Sequence, residues 1–145
     1  MKKRIFAIIL SVLLITTAFS LFGCAKEEET YQIKYVLDYQ YAQYSKYGVQ
    51  YYNSYTKVNG KKELATKRLR KGRDLSLAIK NLTPVVVDKN GDVVKDPDFY
   101  FSEWRYLLDG ELYKITSDTK VGDEIAVDGV ITIVAYCEAT YVGPF

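Results

Sequence analysis

The chain has 145 residues, with 20 Lys and Arg against 18 Asp and Glu, no histidine and a formal charge of +2. That length makes one ordinary domain, long enough to bury a core without disulfides or a metal but too short for two independent cores. The missing histidine removes the commonest general base and metal ligand at neutral pH. No P-loop, G-x-G-x-x-G or G-x-S-x-G pattern occurs to carry nucleotide or hydrolase chemistry.

Met1-Lys2-Lys3-Arg4 opens the chain with positive charge, and residues 5–19 are an almost unbroken apolar run. Ser20-Leu21-Phe22-Gly23-Cys24 follows, with Leu21 three residues before the cysteine and small Gly23 directly before it. A cationic start, an apolar stretch and a small-residue site are the parts of a secretory signal peptide. The closing segment resembles the lipobox of bacterial lipoproteins, with Phe22 standing where smaller residues are usual. The resemblance implies cleavage before Cys24, acylation of its thiol and amine, and a mature protein lipid-anchored on the extracytoplasmic face of the cell membrane. The alternative is an uncleaved single-span anchor, since residues 5–23 are nearly long enough to cross a bilayer. On the first reading, residues 1–23 are removed, residues 24–30 are a lipidated cysteine with a short charged tether, and residues 31–145 form one β-rich extracytoplasmic domain. Losing Lys2, Lys3 and Arg4 leaves 17 of the 20 basic side chains against 18 acidic ones, so the mature chain is nearly neutral. Its charge gives no argument for nucleic acid. Six extended tether residues reach ~20 Å at most, which keeps the domain near the membrane surface. With Cys24 acylated, Cys137 stands alone and can form neither an intramolecular disulfide nor a cysteine zinc site.

From Tyr31 onward the pattern is β. Tyr31, Ile33, Tyr35, Leu37, Tyr39 and Tyr41 occupy alternate positions, which predicts one long half-buried strand over 31–41. A second strand is expected over 49–58. Nine of the 14 tyrosines fall between Tyr31 and Tyr55. Tyr35, Leu37 and Tyr39 read as core, whereas Tyr44, Tyr47, Tyr51, Tyr52 and Tyr55 lack aliphatic company. Those five form either one more packed sheet face or an exposed aromatic binding face, since rigid rings supply contact area at low entropic cost.

Lys61, Lys62, Lys67, Arg68, Arg70, Lys71 and Arg73 make the main concentration of positive charge, relieved by Glu63 and Asp74. They are either a solvated segment or a contact for a polyanion such as lipid headgroups, wall phosphates or acidic glycans. Residues 61–69 are the one helix candidate. Asn59-Gly60, Asn90-Gly91, Asp109-Gly110 and Asp128-Gly129 each signal a tight turn, and Val85-Val86-Val87 with Val93-Val94 makes the clearest hairpin. Further strands are expected over 75–79, 99–107, 111–115 and 130–141. Pro84, Pro97 and Pro144 sit at presumed strand ends.

Asp88-Lys89-Asn90-Gly91-Asp92 lacks the ligand ladder and closing glutamate of a calcium loop, and a hairpin turn accounts for it. Glu103 and Asp109 are the carboxylate pair that could serve glycoside cleavage, or they are solvated acids beside a turn. Ile131, Ile133, Ala135, Cys137 and Ala139 share one strand face, so Cys137 reads as a buried small hydrophobe rather than a reactive thiol.

Lys71-Gly72 precedes Leu75-Ser76-Leu77; Phe99-Tyr100-Phe101-Ser102-Glu103-Trp104 makes an aromatic run. Asp109-Gly110 supplies a turn, and Ile133-Val134-Ala135-Tyr136-Cys137 closes the segment. Residues 69–137 in this way resemble a divergent copy of the Listeria–Bacteroides repeat of bacterial surface proteins, the internalin B-type repeat. Asp98 and Glu103 replace its usual glycines, and Cys137 its final aromatic. The resemblance implies a β-grasp-like fold for the second half and a spacer or adhesive role, with no catalytic residues to carry over.

The expectation is a mainly β single compact domain of six to eight strands, with a β-grasp-like second half preferred and an Ig-like sandwich as the alternative. Functionally it is a membrane-anchored, non-catalytic module for a wall polymer, glycan or envelope protein, without cofactor or metal. The other readings are an accessory subunit of an envelope complex, or a carboxylate-dependent glycan hydrolase.

Overall fold

Apolar residues at every second position give most of this chain its strands. The computed structural model describes residues 28–95 and 97–139. The signal segment 1–23, Cys24, the first tether residues, and Tyr141 and Pro144 lie outside the described residues. The strands are β1 Thr30–Val36, β2 Asp38–Ser45, β3 Gly48–Lys57, β4 Lys67–Arg70, β5 Val85–Val87, β6 Phe99–Leu108, β7 Glu111–Lys114 and β8 Val130–Ala139. Short 3-10 helices occupy Leu75–Ala78 and Asp123–Ile125. The result is one compact, mainly β domain with a five-stranded sheet, order β4-β1-β8-β6-β7, and a three-stranded sheet, order β2-β3-β5.

At the centre of the larger sheet β1 and β8 run parallel, with Ile33 opposite Ile131 and Tyr35 opposite Ile133. Antiparallel β4 flanks β1, and antiparallel β6 and β7 continue beyond β8. A parallel central pair with antiparallel flanks is a β-grasp-like layout. Strand β1 belongs to the first half of the chain, so the grasp expected over 69–137 is completed from outside that range. A sandwich of two antiparallel sheets has no such parallel pair.

Three local expectations change. The single strand over 31–41 is two strands in different sheets, broken at buried Leu37. The strand expected over 75–79 is a 3-10 helix that buries Leu75 and Ala78 and whose Ala78 carbonyl accepts the Tyr35 hydroxyl at 2.5 Å. The helix expected over 61–69 does not form, and β4 takes its end because Tyr31 and Ile33 offer it a free strand edge.

The turn signals behave as their residues dictate. Asn59-Gly60, Asp109-Gly110 and Asp128-Gly129 all have positive φ at both positions, the twist a two-residue hairpin needs. At Asn90-Gly91 only the glycine is left-handed. There the Asp88 carboxylate accepts the Asn90 and Asp92 amides at 2.8 and 3.0 Å, an Asx-type turn linking β5 to Val93.

Tyr31, Ile33, Leu37, Val58, Leu75, Ile131, Ile133 and Ala135 form the core. Trp104 closes it, with Tyr35 and Phe101 edge-on at centroid distances of 6.1 and 5.8 Å and its indole N–H donated to the Leu82 carbonyl at 3.0 Å. A large ring with its one polar atom satisfied stabilises such a core twice over.

Candidate functional site

The hairpin of β2 and β3 divides the five candidate tyrosines by face. Its register sets Tyr44 opposite Val49, Ala42 opposite Tyr51 and Tyr41 opposite Tyr52. Successive residues of a strand face opposite ways, so Tyr44, Val49 and Tyr51 share one face at the hairpin's end, 78%, 44% and 66% exposed. Tyr47 lies in the connecting turn, 80% exposed, with the Lys46 ammonium 4.9 Å from its ring centre. Tyr52 instead faces the body of the domain, its ring 5.9 Å from that of Phe99. Tyr55 is half-buried further down β3, opposite Val87. The expected face of five is therefore a tip of three tyrosines and Val49, a residue that sequence reasoning passed over although it sits in register with Tyr44.

The basic segment is also divided. Lys62 lies at the Asn90-Gly91 turn, where its side-chain stem and that of Lys57 pass over Gly91, and its charge helps hold the Asp88 carboxyl below the usual range after the Asp92 amide does so first. Lys61 is fixed by backbone hydrogen bonds to Val58 at the preceding turn. Lys67, Arg68, Arg70, Lys71 and Arg73 are elsewhere, on and after the edge strand β4. Several of these are answered by the tether. Arg70 pairs with Glu28 at 2.6 Å, and Lys71 with Glu29 at 3.0 Å and Asp123 at 3.2 Å. The seven residues thus make two separate groups, and the acidic tether neutralises part of one of them.

Tyr31 completes that acidic cluster. The residue is almost wholly buried, and its single hydroxyl hydrogen is shared between two acceptors, Asp123 at 2.5 Å and Glu29 at 3.0 Å. The Tyr31 hydroxyl, then the Lys71 ammonium, hold the Asp123 carboxyl below its ordinary value.

A cleft of about 450 Å³ opens between β3, β5, Val94 and residues 97–99, walled by Val86, Val87, Val94 and Phe99 and lined also by Ser54. Ser54 is buried, and its Oγ lies beside the Tyr41 hydroxyl and the Cys137 thiol without a well-formed hydrogen bond to either. Burial pushes the Tyr41 phenol up to about 12 and raises the Cys137 thiol, so both stay protonated at neutral pH. The cleft was not legible in sequence, because each of its segments reads as a strand or strand end and nothing local shows that they face one another.

The two candidate carboxylates sit in different surroundings, Glu103 among cations on β6 and Asp109 in the β6–β7 turn. Partial burial pushes the Glu103 carboxyl up, but Arg105 and Lys114, at 2.8 and 3.4 Å, outweigh it and hold the group ionised. Asp109 sits in the left-handed turn position at φ 51°. Among the described residues no three His, Cys, Asp or Glu side chains converge as metal ligands would, and no helix is long and apolar enough to cross a membrane. No family model, curated protein or solved structure matches the chain, so the resemblance of residues 69–137 to surface repeats rests on the quoted residues alone.

Proposed function

We propose that this chain is a membrane-anchored, non-catalytic binding module of the cell envelope, held by acylated Cys24 and engaging an envelope or extracellular partner through the β2–β3 hairpin tip. The observation that carries the reading is the concentration of Tyr44, Tyr47, Val49 and Tyr51 at one exposed end. Contiguous exposed apolar surface marks interaction sites, and tyrosine rings bind at low entropic cost through both faces and hydroxyls. Rings edged by Lys46 suit a protein or glycan surface, and they ask for no cofactor. The β-grasp-like layout and the resemblance to surface repeats support the same adhesive role.

The test is co-sedimentation of the Cys24→Ala chain, which carries no acyl anchor, with purified envelope fractions, comparing it with the same chain bearing Tyr44→Ser, Tyr47→Ser, Tyr51→Ser. Loss of binding in a variant that folds normally is the expected result, and equal binding sinks the proposal. Palmitate labelling of wild type but not Cys24→Ala checks the anchor separately.

A further inference from the structure

The outer face of β4 is cationic and concave. Leu69, opposite Tyr31 on β1, packs against the core, so Arg68 and Arg70 point the other way. A turn through Lys71 and Gly72 then brings Arg73 back, its amide donated to the Arg70 carbonyl at 3.2 Å. Arg68, Leu69, Arg70 and Arg73 line a shallow concavity of about 260 Å³. Its three guanidinium groups are only partly answered. Arg68 donates one hydrogen bond to the Thr30 hydroxyl at 3.2 Å and Arg70 meets the Glu28 carboxylate at 2.6 Å, while Arg73 makes no side-chain bond or ion pair among the described residues.

We infer that this concavity binds the phosphate of an anionic lipid headgroup in the membrane that carries the chain, an assignment that rests on the anchoring of Cys24 proposed above. Planar guanidinium forks match the several acceptor oxygens of a phosphate, which a single carboxylate cannot saturate. Position makes the lipid the source. Glu28 is four residues after Cys24, so the Arg70 ion pair sits at most about 14 Å of extended chain from the acylated residue. The concavity is therefore kept within reach of the headgroup layer. Glu28 stands in for the headgroup when none is bound, and an exposed pair of this kind is weak enough to exchange. A headgroup held there would also fix the angle at which the domain stands on the membrane.

The experiment places the full chain in nanodiscs of phosphatidylcholine, with and without phosphatidylglycerol, each doped with a headgroup-spin-labelled lipid. Paramagnetic broadening is read by NMR at the Gly72 amide and at the Nε–H groups of Arg68, Arg70 and Arg73. Strong broadening in the phosphatidylglycerol discs that survives excess inorganic phosphate at matched ionic strength is expected. Arg68→Gln, Arg70→Gln, Arg73→Gln should cut the Gly72 effect by about fivefold or more, and Glu28→Gln should strengthen it. Absent broadening on an intact disc complex, or a triple variant that broadens as wild type does, overturns the site. Displacement by inorganic phosphate assigns the concavity to a free phosphate and overturns the lipid source. A chain that elutes apart from the discs overturns the anchor, and this assignment with it.

Discussion

The hydroxyl of Tyr41 accepts the amide hydrogen of Cys137 at 3.2 Å and donates its own to the Ala135 carbonyl at 3.0 Å. Strand β1 ends at Val36, opposite Val134, so β8 runs on with that edge unpaired. One phenol of the neighbouring sheet satisfies the next donor and acceptor in line. Tyr41→Phe leaves the Cys137 amide unpaired and the Ala135 carbonyl with only the weak Cys137 thiol donor at 3.7 Å, and should cost about 1–3 kcal/mol. A urea titration followed on Trp104, the single tryptophan, measures it. An unshifted midpoint would mean that water replaces the hydroxyl.

The Tyr31–Asp123–Lys71–Glu29 cluster should come apart at both ends of the pH scale. The depressed Asp123 carboxyl contributes stability present above the ordinary aspartate value near about 3.9 and lost as pH falls through its own lower one. The Tyr31 phenol, raised first by its bond to Asp123, and the Lys71 ammonium, raised first by Glu29, contribute below their ordinary values of about 10 and lose that contribution as pH rises through their higher ones. NMR titration of the Asp123 carboxyl and the Tyr31 ring reads both limits. An Asp123 midpoint at or above that of a free aspartate contradicts the account.

Cys137 is buried and its thiol raised, so it should resist alkylation. At neutral pH iodoacetamide should modify it on the order of a hundredfold more slowly than an exposed thiol, at a rate set by local opening. Denaturant should restore full reactivity. A thiol that reacts rapidly in the folded chain would place it at a working surface instead.

The hairpin tip should be thermodynamically silent. Tyr44, Tyr47 and Tyr51 are too exposed to support the core, so replacing all three with serine should change stability by no more than about 0.5 kcal/mol per site. Thermal unfolding by circular dichroism checks this. A large drop in Tm would show that the rings hold the fold and would remove the argument for a binding tip.

Strands and turns were legible because their signals are local. Asp109-Gly110 between two apolar runs can do little but make the β6–β7 hairpin. The break at Leu37 was not legible. Tyr35, Leu37 and Tyr39 keep their alternation while the chain leaves one sheet for the other, and a period of two carries no mark of such a change. Leu75 to Ile79 read as a strand because five residues are too few to separate a strand from a turn of helix, and burial of Leu75 and Ala78 decided it. The tyrosine cluster was visible as composition, but which rings face outward depends on the register of Tyr44 with Val49. The division of the basic run was hidden because it depends on acids, Glu28, Glu29 and Asp123, that are remote in the chain or sit in the tether.

The parallel pairing of Ile33 with Ile131 joins the first described strand to the last. Until β8 is available, β1 has no central partner, and a contact of such wide sequence separation forms late and slowly. The centre of the larger sheet therefore closes only when nearly the whole described chain is present, so a nascent or truncated chain lacking β8 keeps the β1 edge open and stays pliable.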